Sequence, residues 1–168
     1  MLIQLIHFKK LNMEILTGEK NKTLRQKSLP VRHINSDVRT LIQQMKKVME
    51  ENNGVGLAAI QIGEPTRIVI CELNDKFYAF INPEITKFSQ ETSVMEEGCL
   101  SLPNIYGEVE RPKKISLKAV NFNGKKIKIK AFGLLARVIQ HEIDHLDGIL
   151  FIDKAKNITK QTQKTTAL

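Results

Sequence analysis

The stretch Gln140-His141-Glu142-Ile143-Asp144-His145 sets two imidazoles four residues apart with a carboxylate beside the first. An α-helix turns that spacing into a grip on a metal ion. Residues i and i+4 lie about 40° apart around the axis and ~6 Å along it, so one ion can engage both rings. Glu142 lies about 100° round from His141. A carboxylate there reaches a water on the ion rather than the ion itself, which is a general base's place. Two histidines on a charged helix also occur on plain surfaces. Here the segment takes two of the chain's four histidines and opens with Leu134, Leu135, Val138 and Ile139, an apolar helical pattern that anchors it in a core. The predicted helix runs near Phe132 to Leu146, with Gly148 as its stop signal.

Catalytic metal sites usually have three protein ligands and one open position. No Glu follows Glu142 to complete the set as in thermolysin-like proteases, and Phe151 stands where the metzincin pattern puts a third His after Gly148. The third donor must then come from upstream, or from Asp147 or Asp153. Upstream donors are Cys71, Cys99, His7, His33 and the carboxylates. Cys71 lies in the strand-like run Arg67 to Leu73 and reads as a buried, inert thiol. Cys99, with Gly98 before it and Pro103 soon after, reads as a loop or strand end whose thiol can face a cleft. It is the expected third ligand. The two cysteines form no paired motif, so neither a zinc ribbon nor a disulfide framework is indicated.

Three segments together resemble the signature motifs of the peptide deformylase family, in the family's order. They are Gly54-Val55-Gly56-Leu57-Ala58-Ala59-Ile60-Gln61, Glu97-Gly98-Cys99-Leu100-Ser101, and Gln140-His141-Glu142-Ile143-Asp144-His145-Leu146-Asp147-Gly148. Weaker likeness runs from Ile15-Leu16 to Phe151-Ile152-Asp153, so the resemblance covers roughly residues 13 to 155. It implies removal of the formyl group from the N-terminal formyl-methionine of newly made polypeptides, with release of formate. It also implies Cys99, His141 and His145 as ligands of one divalent ion and Glu142 as catalytic base. The side-chain amide of Gln61 and the backbone N–H of Leu100 would then stabilise the developing negative oxygen, a role worth ~10² to 10³ in rate for one donor. Val55, Leu134, Val138 and His141 are expected to line an apolar pocket for the methionine side chain. A Cys with two His suits zinc by geometry. The resemblance instead implies ferrous iron as the native metal, with nickel or cobalt able to substitute and zinc less active.

Gly54 and Gly56 do not form a dinucleotide fingerprint, because the third Gly is missing, nor a phosphate loop, because no Walker lysine follows. Asn52-Asn53-Gly54 closes an amphipathic helix that starts near Ser36 or Asp37 and buries Val38, Leu41, Ile42, Met45 and Val48. Gly54 is therefore expected as its C-cap and Gly56 at the substrate. Strand-like runs follow at Thr66 to Leu73 and Phe77 to Ile85. Ile115 to Val120 and Lys126 to Lys130 flank Asn121-Phe122-Asn123-Gly124 as a hairpin. The expected fold class is α+β, a central metal-binding helix surrounded by mostly antiparallel sheets with an amphipathic helix before it.

The 168 residues suffice for one real core. The expected organisation is an extension over residues 1–12, one catalytic domain over 13–155 and a basic tail over 156–168. Net charge is +8, from 26 basic and 18 acidic residues. Much of the excess lies in Lys113, Lys114, Lys118, Lys125, Lys126, Lys128, Lys130 and the final segment, and it reads as a solvated face and tail. Few aromatics accompany the lysines, which argues against stacking on bases and against a specific DNA partner. Transient attraction of a basic end to ribosomal RNA fits the implied co-translational role. Met1 to Phe8 is too short and too polar for a secretory core, and no membrane-spanning run exists. A monomer in the bacterial cytoplasm is expected, with an organelle as the alternative location. Competing classes are a metallopeptidase cutting internal bonds, which the missing downstream ligand opposes, and a non-catalytic metal-stabilised module, which would have no use for Glu142.

Overall fold

The run Ile68-Val69-Ile70-Cys71 has no polar face, and the reason is a sheet buried on both sides. Ile68 and Ile70 pack toward one helix, whereas Val69 and Cys71 pack toward the other. This is a computed structural model of the chain, and it describes residues 13–161. The first helix, α1, spans Ser36–Glu51. Strands β1 (Gly56–Ala58), β2 (Ile68–Leu73), β3 (Lys76–Phe88), β6 (Lys114–Val120) and β7 (Lys126–Phe132) form a five-stranded antiparallel sheet in the order β1-β2-β3-β6-β7. A second antiparallel sheet has the order β4-β5-β8, from Thr92–Cys99, Leu102–Pro112 and Lys156–Lys160. The second helix, α2, spans Gly133–Leu146. This is the expected α+β class.

The first helix opens on Asn35, whose side chain accepts the Val38 N–H at 3.1 Å. Its apolar stripe is Leu41, Ile42, Met45, Val48 and Met49, with Val38 only partly buried. The helix caps at Asn52, two residues before the expected Gly54. Asn53 takes the left-handed conformation at φ 54°, the Asn53 N–H donates to Glu50 and the Gly54 N–H to Met49. Asn tolerates that region, so the left-handed position did not need the glycine. Gly54 is held small for another reason: an added Cβ would stand 2.8 Å from the Leu100 side chain.

The second helix buries nearly its whole circumference. Ala136, Val138, Ile139, Ile143 and Leu146 meet the five-stranded sheet in one cluster with Ala58, Val69, Phe80, Ile115 and Leu117. Arg137, Gln140, Glu142 and His145 are buried as well, and Arg137 reaches the second sheet, where it donates to the carbonyls of Ser93 and Val109. A helix packed on both sides explains why its polar residues are functional candidates rather than a solvent face.

The hairpin closes as its sequence predicts. Asn121 Oδ1 accepts from the N–H groups of Asn123 and Lys125, and Ile127 and Ile129 turn inward while Lys126, Lys128 and Lys130 are exposed. The boundary drawn at residue 155 cuts ahead of β8, which pairs with β5 at Thr159 opposite Tyr106 and Lys156 opposite Glu108. Every residue of β8 is exposed, so no apolar alternation signals this strand. The expected 1–12 extension, His7 within it, and residues 162–168 of the tail lie outside the described residues. No described helix is long and apolar enough to cross a membrane.

The end of α2 predicts a sensitive position. Gly148 sits at φ 73°, and a Cβ there would stand 2.5 Å from the Arg25 carbonyl oxygen. Left-handed strain costs about 1–3 kcal/mol before that clash is counted. Gly148→Ala is expected to lower unfolding free energy by about 2 kcal/mol or more in denaturant titration, and an unchanged midpoint would refute this packing.

Candidate metal centre

Three donors meet where α2 crosses the end of β4. One ligand atom each from Cys99, His141 and His145 lie within 4.8 Å of one another. The Cys99 Sγ is 3.2 Å from His145 Nε2, and the two rings cross at 73° with centroids 5.1 Å apart. Thiolate and imidazole ligands of one tetrahedral ion stand about 3.6 Å from each other, so the set fits a single metal. Cys99 is the last residue of β4, beside a register break between Gly98 and Cys99. Such irregularities re-aim a side chain next to active sites. Of the other donors weighed, Cys71 is buried in the main core with its thiol pushed up to about 12 by burial, helped by nearby Glu142. His33 is exposed. Asp147 pairs with Arg67 at 2.8 Å, and Asp153 pairs with Arg25. Phe151 stacks on the His141 ring, with centroids 6.1 Å apart at 23°.

Sequence reading missed the group that orients this set. Glu97 Oε2 faces His141 Nδ1 at 2.9 Å, which turns Nε2 toward the other ligands. The same carboxylate accepts two bonds from Arg111, at 2.7 and 3.0 Å, and one from Arg137 at 2.6 Å. A signal existed: Glu97 and Cys99 are two apart on β4, hence on one face of the strand. Burial would raise the Glu97 pKa, but hydrogen bonds from His141 and Arg111 hold it down at about 2.

The imidazoles are driven apart. Burial opposes charge on His141, yet the Cys99 sulfur and the Glu97 carboxylate outweigh it and raise its pKa to about 10. Burial, then the positive charges of His141, Arg111 and Arg25, push His145 well below the ordinary range. The cluster thus calls for one site of positive charge among Cys99, Glu97 and Glu142. A divalent cation meets that demand without a proton.

Glu142 is buried beside the ligands, and its Oε2 has no hydrogen-bond partner among the described residues. Burial raises its pKa to about 7, against the pull of His141 and Arg111. Gly56 faces it, and an added Cβ would stand 2.5 Å from Glu142 Oε1 and 2.8 Å from Val138 Cγ1. The buried Gln61 accepts the Ala58 N–H on Oε1 at 2.8 Å. Its amide nitrogen therefore faces the site, 3.6 Å from Cys99 Sγ and 3.1 Å from Ser101 Oγ. Leu100 follows Cys99 in the turn between β4 and β5. A cleft of about 560 Å³ opens onto these groups. Val55, Gly56, Gln61, Cys99, Leu100, Leu134, Val138, His141 and Glu142 line it, with Val55 and Leu134 half exposed at 53% and 49% and Val138 buried at 6%.

A buried carboxyl poised over a helix-borne histidine pair and a strand-end thiol defines a metal-dependent hydrolase of α+β fold. The family model described as polypeptide deformylase matches residues 13–161. A peptide deformylase of Treponema pallidum is 49% identical over 127 residues, covering 76% of this chain and 78% of that protein. One from Pelagibacter ubique is 43% identical over 155 residues, covering 89% and 90%. The crystal structure of peptide deformylase from Thermotoga maritima superposes with TM-score 0.83 at 39% identity, covering 86% of this chain and 97% of that one. The chain belongs to the polypeptide deformylase family, hydrolases that remove the formyl group from N-formylmethionine peptides.

The Glu142 environment sets a pH signature for the metal-free protein. Its folded pKa of about 7 lies above the ordinary value of 4.5. Between those values the unfolded chain releases this proton while the folded chain keeps it, so stability falls as pH rises through that window. Metal-free Glu142→Gln is expected to melt above metal-free wild type at pH ~8, with the gap closed below pH ~4.5. A gap that does not vary with pH would reject burial as the cause.

Proposed function

We propose that Cys99, His141 and His145 hold one divalent ion, ferrous iron natively, and that Glu142 moves the protons of N-formylmethionine deformylation. The observation that carries this reading is the meeting of three donors of the right chemistry beside an unpartnered buried carboxyl, at the head of a largely apolar cleft. A thiolate with two imidazoles suits several late first-row ions, so nickel, cobalt or zinc can occupy the same donors.

A bound ion there supplies Lewis acidity, lowering the pKa of water toward neutrality and polarising the formyl carbonyl. The chain does the rest. The Glu142 carboxylate, buried beside the cleft, takes the proton as water oxygen attacks the formyl carbon and can then return it. The Gln61 amide, turned by the Ala58 N–H, and the Leu100 N–H donate to the carbonyl oxygen as it gains charge. The carbon–nitrogen bond then breaks, Glu142 delivers the proton to the departing amine, and formate leaves. Val55, Leu134 and Val138 enclose the methionine side chain, and Gly56 lets the substrate backbone pass close to Glu142.

Under this reading a single chain carries every group the reaction needs. The bacterial relatives support a cytoplasmic site of action on nascent peptides. Exposed lysines on β6, β7 and β8 supply charge for transient contact with ribosomal RNA. Ribosome binding that is unchanged after deletion of residues 162–168, which keeps β8 in place, would remove the end of the tail from that contact.

The deciding assay incubates the metal-loaded protein with a formyl-Met peptide and its unformylated twin, following formate and internal cleavage. Formate from the first alone is expected, and internal cleavage without formate overturns the reading. Glu142→Gln should keep the metal yet lose nearly all turnover, since an amide cannot relay a proton. Cys99→Ser should weaken or exchange the metal, because a hydroxyl is a harder and less readily ionised donor. Undiminished occupancy in elemental analysis would reject the thiolate.

A further inference from the structure

Asp144 lies on α2 between His141 and His145, but its carboxylate turns away from the cleft. It borders a separate cavity of about 310 Å³ behind the helix, together with Arg67, Arg111, Gln140 and Lys154. Its Oδ2 accepts from Arg111 Nη1 at 2.8 Å, and Lys154 Nζ sits 2.6 Å from Oδ1 and 2.8 Å from Oδ2. Arg111 is 3% exposed. Its Nε and Nη2 are the two nitrogens that grip Glu97, and Glu97 in turn faces His141 Nδ1.

These bonds form a closed circuit that begins and ends on one helix. From Asp144 it passes to Arg111 on β5, to Glu97 on β4, and back to His141 three residues before Asp144. A guanidinium is a rigid plane, so fixing Nη1 also fixes the direction of the Nε/Nη2 edge. That edge sets the Glu97 carboxylate, and the carboxylate sets the tautomer and tilt of the imidazole. The circuit also pins the end of β4, where Cys99 projects, against the helix that carries His145. Without Asp144 the buried Nη1 has lost its acceptor, and Arg111 is free to turn out of the Glu97 plane.

We propose that Asp144 is a positioning residue for the metal ligands, acting through Arg111 and Glu97 to hold His141 in its ligating orientation, with Lys154 keeping the Asp144 carboxylate seated. This rests on the assignment of Cys99, His141 and His145 as ligands. Asp144 and Lys154 touch neither substrate cleft nor ligand atoms, so an effect on ligand geometry must travel along the circuit.

The test uses full-length protein loaded with Co2+, whose visible ligand-field bands report ligand geometry. Cobalt transfer to an excess of chelator is timed for wild type, Asp144→Asn, Asp144→Ala and Lys154→Met, and each metal-free protein is melted in parallel. Outer partners of ligating histidines typically control affinity by about 10- to 100-fold. Asp144→Ala is expected to release cobalt faster by that factor with shifted bands, and to lower kcat with little change in KM. Asp144→Asn keeps an acceptor for Nη1 and should fall between it and wild type, as should Lys154→Met. Unchanged release and unchanged bands in Asp144→Ala overturn the proposal. So does a lowered melting temperature with wild-type bands, which would make Asp144 an architectural ion pair only. Should Asp144→Ala fail to fold, the asparagine variant and the partly exposed Lys154 decide. Cobalt retained by wild type and lost by Cys99→Ser keeps the ligand assignment standing whichever way Asp144 falls.

Discussion

A buried carboxylate shared by two arginines and a histidine holds this molecule's working parts in register. Glu97 stands on β4, Arg111 on β5, and Arg137 and His141 on α2, so four side chains tie β4 and β5 of the second sheet to the helix. None of them is more than about a tenth exposed. Taking such charges out of water is expensive, and their attraction returns the cost only with good geometry and no lone pair left over. Here Glu97 accepts four bonds, and Arg137 also donates to the Ser93 and Val109 carbonyls. Removing one partner from a buried pair costs about 3–5 kcal/mol because the survivor stays charged and buried. The network is thus intolerant of partial loss, a property suited to fixing one arrangement of strand against helix.

That arrangement explains why the donors could be named from sequence while their support could not. His141, Glu142 and His145 form a local pattern with the period of a helix, and Cys99 stood out as a thiol between Gly98 and Pro103. The α1 stripe, the β2 and β3 runs and the β6–β7 hairpin were legible for the same reason, since each carries its own period or turn chemistry. The second sheet carries neither. β4 exposes Val94 and Met95 and buries Glu97, the reverse of the usual code, and β8 buries nothing. Nothing local in the sequence marks Glu97, Arg111 and Arg137 as partners until the fold brings them together. Their meaning is tertiary, with sequence separations of 14 and 40 residues. The left-handed Asn53 after the Asn52 cap escaped for a smaller reason, because Asn and Gly compete for that position and the nearby glycine drew the assignment.

Space around the site is rationed as closely as charge. Gly56 passes within contact of Glu142 and Val138, and Gly54 within contact of Leu100. Gly54 precedes the three-residue strand β1 and Gly56 opens it; the pairing of β1 with β2 fixes Leu57 opposite Ile70 and brings Gln61 into the following short 3-10 turn. The glycine motif therefore works mainly by omission: it leaves room for a buried carboxyl whose Oε2 has no hydrogen-bond partner among the described residues.

Glu97 and Glu142 make the division of labour explicit. Both are buried and both lie beside His141, yet one is held at about 2 and the other raised to about 7. The difference is in their company. Glu97 receives hydrogen bonds from cationic groups on both oxygens, so it stays an anion at any pH the protein meets. Glu142 has burial without such bonds, and the negative charges of Glu97 and Asp144 discourage its ionisation further. Two carboxylates pushed apart in this way mark a fixed charge and an exchangeable proton. The fixed anion raises the basicity of His141 through its Nδ1, while the exchangeable one borders the cleft. Exchanging their surroundings would reverse the roles, so the proposal of Glu142 as base rests on its environment as much as on its place in the helix.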